Sequence, residues 1–162
     1  MIHDFECELA WNAGLGSMLV YNAVLGYAKK DVQQRGFPFL LSGLLFGLVF
    51  HADTVKNLRS RRNPGILYKL ESEYPEFRLG LKDRVSSFLD LAFASISLAA
   101  ESGLVIVGET TGGLYVAKKT CPNALRPADG TIKDMAKVAR SVGECLATMS
   151  IEEIVRLTGV TI

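Results

Sequence analysis

The sequence is poor in the residues that most enzymes depend on. Only two histidines occur, His3 and His51, and neither sits at metal-ligand spacing from another ligand. The cysteines, Cys7, Cys121 and Cys145, are odd in number and form no CxxC pair. They fit free thiols in a reducing cytosol better than a disulfide framework. Net charge is close to zero, so no global field would draw nucleic acid, and any basic contact has to be local. A long apolar run is also missing. The most apolar stretch, from Phe37 to Phe50, falls short of the roughly 20 residues that a membrane span needs. The opening residues, Met1 to Glu6, lack the basic start of a secretory signal.

What remains is a globular composition with a positive mean hydropathy of +0.23, nearly half hydrophobic. At 162 residues the length suits one compact domain, and no repeat or linker divides it. The positive hydropathy implies apolar surface buried against partners, since the membrane alternative lacks a span.

Hydrophobic spacing predicts a helix over about 16–30, weakened by Gly14, Gly16 and Gly26, whose small size would let a neighbouring helix approach closely. Pro38 is expected at the first turn of a second helix, about 38–52, which is apolar on nearly every side and therefore buried in the core or under a partner. Asp53-Thr54 reads as an N-cap ahead of a basic run, Lys56, Arg59, Arg61 and Arg62. Asn63-Pro64-Gly65 is a turn, a short helix spans about 66–72, and Tyr74-Pro75 breaks it.

The long helix after Pro75 is the best patterned, with Leu81, Val85, Phe88, Leu89, Ala92, Ile96 and Ala99 stepping along one face. Gly103 is expected as its C-terminal cap. Leu104–Val107 and Leu114–Ala117 are strands joined through Gly112-Gly113, and 118–130 reads as an exposed connection. Thr131 with Asp134 approximates a cap for the next helix. Ser150-Ile151-Glu152-Glu153 is a capping box for the last helix, which Gly159 ends. The fold class is thus mainly α with a small β-hairpin (α+β). A helical part, 1–75, precedes a part, 76–162, whose helix–hairpin–helices order resembles a winged-helix element.

No catalytic constellation emerges. Hydrolases and transferases need a nucleophile with its base, paired carboxylates or a metal. Gly108 to Gly113 lacks the lysine and following helix of a phosphate loop, so its glycines serve a turn. Glu152-Glu153 is explained by capping, Asp83 and Asp90 by a solvated face, and His51 by a structural or capping role. Neither an enzymatic site, a cofactor nor a metal is expected. The basic run Lys56, Arg59, Arg61 and Arg62 is the candidate contact for phosphates or for an acidic partner. Leu44, Phe46, Leu104, Leu114 and Tyr115 are the candidate partner-docking residues.

The order of these pieces resembles the middle components of three-component ABC systems, and in particular the small LmuC-type subunit of Lamassu anti-phage systems. The resemblance rests on Gly26-Tyr27 near the end of the first helix and on Phe37-Pro38-Phe39-Leu40-Leu41 leading to Val49-Phe50-His51. Asp53 to Leu58, the helix-to-hairpin stretch 94–104, Gly113-Leu114-Tyr115-Val116 and the tail 136–146, 154–157 and Gly159-Val160 continue it. The tail departs from the family in lacking an aromatic residue in its penultimate helix and a terminal proline. The resemblance implies a small, non-enzymatic, kleisin-like cytoplasmic subunit beside an SMC- or Rad50-like ABC ATPase and an effector, often a nuclease. It also implies DNA contact through the complex and no membrane. The alternative is a stand-alone winged-helix DNA-binding regulator, and an enzyme of unrecognised type ranks last.

Overall fold

The computed structural model describes residues 12–60, 65–117 and 130–162. The first helix, α1 (Ala13–Lys30), starts where Asn12 caps it: the Asn12 side-chain oxygen accepts from the Leu15 N–H at 3.1 Å. Lys29 and Lys30 occupy its last turn, where positive charge favours the helix dipole. The helix is buried around most of its circumference, from Leu15 to Tyr21 and again at Ala23, Val24, Gly26 and Tyr27.

Pro38 does not open the second helix. Phe37–Pro38 forms a short strand, β1, and α2 begins later, at Leu41–Val49. A residue preceding proline is pushed towards extended backbone, which suits Phe37 to a strand. Proline cannot donate to a ladder, so β1 lies at a sheet edge, as that missing N–H requires. The expected continuous helix to Ala52 is also interrupted. The chain turns extended at His51, and α3 (Ala52–Leu58) starts there with His51, not Asp53, at its N-cap. Next come α4 (Ile66–Glu73) and a single tight turn, Pro75–Arg78.

The long helix, α5 (Leu81–Glu101), ends as its sequence predicts. Gly103 adopts a left-handed φ of 67°, the Gly103 N–H donates to the Ala100 carbonyl, and the Leu104 N–H reaches back to Ala99. That paired closure satisfies the last carbonyls of the helix and points the chain straight into β2 (Val105–Val107). β3 (Gly113–Val116) returns antiparallel, setting Val105 opposite Val116 and Val107 opposite Leu114. β1 joins the far side of β3, with Phe37 opposite Leu114, so the expected hairpin becomes a three-stranded antiparallel sheet of order β1-β3-β2.

α6 (Gly130–Leu146) and α7 (Ile151–Thr158) close the chain, with Thr131 already inside α6. The Ser150–Glu153 capping box is formed in both directions, and Gly159 caps α7 in the left-handed conformation. The fold is mainly α with a small antiparallel sheet, and no helix among the described residues is long and apolar enough to cross a membrane.

One hydrophobic cluster runs from Leu15 to Val160 through every described helix and the sheet. α1 lies between α5 and α6, α2 packs on α5, and Tyr21, Phe37, Phe46 and Phe77 are among its fully buried side chains. Burying an aromatic or aliphatic side chain of this size contributes roughly 1.5–3 kcal/mol. The parts 1–75 and 76–162 thus share this core, and β1 of the first pairs with β3 of the second.

Candidate functional site

α3 sets Ala52, Val55, Lys56 and Arg59 in one row, at the i, i+3, i+4, i+7 spacing of a helix face. The first turns of α6 face that row with Thr131, Asp134 and Met135, and Val49 and Phe50 from the end of α2 form the floor. The result is a groove of about 340 Å³ with an apolar base and a charged rim. Across it the Arg59 guanidinium (Nη1) lies 3.5 Å from Asp134 Oδ2, joining residues 75 apart in the chain. Arg59 remains 54% exposed in that pair, so the bridge contributes at most about 1 kcal/mol. Lys56 is exposed and has no acidic partner among the described residues. Arg61 and Arg62, the rest of the basic run, lie outside the described residues.

At the groove's upstream end His51 Nδ1 and the Thr54 hydroxyl are 2.9 Å apart. Partial burial pushes the His51 pKa below its usual value, the positive charge of Arg84 adds to that, and Asp53 opposes it. The neutral imidazole fits this side-chain contact at the start of α3, in keeping with a structural histidine.

The four aliphatic and aromatic side chains expected to dock a partner are turned inward. Leu44, Phe46, Leu104 and Leu114 are all 3% exposed or less and belong to the chain's own core. This corrects the docking assignment. The excess hydrophobicity of α2 is absorbed by α5 and α1, where Gly43 and Gly47 let α2 settle on Leu89, Val85 and Leu81. Tyr115 is half-buried, and its hydroxyl donates to the Arg35 carbonyl at 2.9 Å with Thr111 Oγ1 3.1 Å away. It ties the hairpin to the loop before β1.

The glycine loop before β3 is a turn, closed by the Gly108 N–H donating to the Gly113 carbonyl at 2.8 Å. Among the described residues no three His, Cys, Asp or Glu side chains gather into a group able to hold a metal. Cys145 is buried, with its thiol donating to Met149 Sδ at 3.6 Å. Cys7 and Cys121 lie outside the described residues.

A family model matches residues 2–162, the ABC-three component (ABC-3C) system Middle Component 3. The chain belongs to that family. No curated protein and no solved structure matches it.

The middle component also carries functional-looking residues that sequence reasoning passed over. Lys133, Lys137 and Arg140 stand exposed at i, i+4, i+7 on the outer side of α6, a row that helical spacing alone would have revealed. Leu40, Phe93, Ile106 and Val107 are large, apolar and exposed. No local signal separates them from their buried neighbours: strand alternation puts Val105 and Val107 on the same face of β2, yet the first is buried and the second exposed. Arg84, near the start of α5, is engaged by the backbone: its guanidinium donates to three carbonyls, Gly47 at 3.1 Å, Leu79 at 2.8 Å and Phe77 at 2.9 Å. It clamps the tight turn, α2 and α5 together, and desolvation lowers its pKa.

Proposed function

We propose that this middle component is a non-enzymatic, kleisin-like linker. It joins an SMC- or Rad50-like ABC ATPase to a separate effector, a nuclease, within a cytoplasmic anti-phage or anti-plasmid complex of the Lamassu type. The match of the family model to nearly the whole chain is the observation that carries this reading. The groove above is a surface such a linker would use, because it sets an apolar base beside a charged rim.

The regulator alternative fares worse on the geometry of α5, the helix preceding the hairpin. A recognition helix needs exposed cations to reach phosphates and base edges. α5 exposes Asp83, Asp90 and Glu101 against Lys82, while Arg84 is engaged by carbonyls.

The test is co-expression of this chain with the other two components of its system. Co-elution of all three in size-exclusion chromatography, with ATP turnover retained by the ATPase component alone, is the expected outcome. A chain that elutes as a free monomer in the presence of both components overturns the linker role. Tight, sequence-specific binding of duplex DNA by the isolated chain would favour the regulator.

A further inference from the structure

We propose that the groove between α3 and α6 seats a segment of a partner protein that carries an apolar anchor side chain beside an acidic residue. This rests on the linker reading and names the surface it uses.

Three features define the occupant. The base, Val49, Phe50, Val55 and Met135, is apolar, and about 340 Å³ is room for one or two large side chains. The rim is cationic: Lys56 and Arg59 stand on one side, and the single facing acid among the described residues, Asp134, is already occupied by Arg59. Asp53, the only acid of α3, lies off the lining row. The long, half-exposed Arg59–Asp134 bridge leaves donors of the guanidinium open to a second carboxylate, which arginine binds in a forked geometry. An anchor in the base with a carboxylate at the rim satisfies both halves of the site, as in helix-in-groove recognition. A nucleic acid backbone would use the cations but leave the apolar base uncovered, so a protein segment fits better.

The test uses two variants of the full chain co-expressed with the other two components. Lys56→Glu combined with Arg59→Glu reverses the rim, and Ala52→Trp blocks the mouth of the groove without touching charge. All three positions are exposed, and thermal melting of each purified variant reports that the fold is retained. Both variants are expected to lower recovery of the partner in the complex by about tenfold or more. Lys56→Arg alone, which keeps the rim charge and the Arg59 fork, is expected to retain it. If the wild-type chain assembles and both variants assemble equally well, the groove assignment falls while the linker reading stands. If the wild-type chain fails to assemble, both fall. If charge reversal abolishes binding to a duplex DNA fragment while Ala52→Trp leaves assembly untouched, the cations serve nucleic acid and the proposal is overturned.

Discussion

Gly26 and Gly143 form a reciprocal notch between the two helices of closest contact. A Cβ on Gly26 would strike the Arg140 carbonyl of α6, and a Cβ on Gly143 would strike the Ala23 carbonyl of α1. Each glycine thereby admits the other helix's backbone, which is why α1 and α6 make the most extensive helix pair in the fold.

That notch reverses the usual sign of a glycine-to-alanine change. In an open helix the substitution stabilises by up to about 1 kcal/mol. Here Gly26→Ala or Gly143→Ala is expected to destabilise by roughly 1–3 kcal/mol, as overpacking against a rigid carbonyl does. Urea unfolding followed by circular dichroism checks it, and a raised midpoint in either variant contradicts the notch.

Arg84 should behave as a structural clamp. Arg84→Met keeps the aliphatic stem but strands the carbonyls of Gly47, Phe77 and Leu79. A charged hydrogen bond is worth roughly 1.5–3 kcal/mol, so a loss of about 2–4 kcal/mol is expected for this clustered set. Lys82→Met, two residues away and exposed, should stay within about 0.5 kcal/mol. Equal midpoints for the two variants would dismiss the clamp.

The inward placement of α2 makes a prediction about the isolated chain. Leu44→Asp places an unpaired charge in a site 1% exposed, and Phe46→Ala opens a cavity in one 0% exposed. Phe46→Ala is expected to cost about 3–5 kcal/mol, and Leu44→Asp to prevent folding, with no partner present. Were α2 instead a docking surface, both variants would fold alone and fail only in assembly. Thermal melting of the purified chain separates these outcomes.

His51 should make stability fall on mild acidification. Its folded pKa lies below the usual 6.5 because of burial first and the Arg84 charge second. Between the folded and unfolded values the unfolded chain binds more protons, so stability rises with pH across that window. The contribution is complete above the unfolded value of 6.5, declines as pH falls below it, and levels off beneath the folded value. Denaturation midpoints measured from pH 8 down to about pH 5 should therefore slope downwards, and His51→Gln should flatten that segment. An identical slope in the variant would assign the effect to other groups.

Much of the architecture was legible because its signals are local. The stripe of Leu81, Val85, Ala92, Ile96 and Ala99 faces the core as its spacing implies, with Phe88 and Leu89 half-buried at its border. The Gly103 closure and the Ser150–Glu153 box use partners within five residues. Gly26 also signalled a close helix approach, although Gly143 did not. Pro38 misled because the same fixed φ suits a helix's first turn and an edge strand. What decided between them was Leu114, far along the chain, pairing with Phe37.

Local spacing was enough for the long helix α5, its Gly103 closure, the Ser150–Glu153 box and the turn between the strands, because each depends on neighbours a few residues away. Packing between distant segments settled where α2 and α3 begin, which apolar side chains became core, that Arg84 would clasp carbonyls, and that Arg59 would meet Asp134 across a groove. Hydrophobicity favours burial without naming the surface that provides it, and a cation's partners depend on which distant backbone the packing brings within reach.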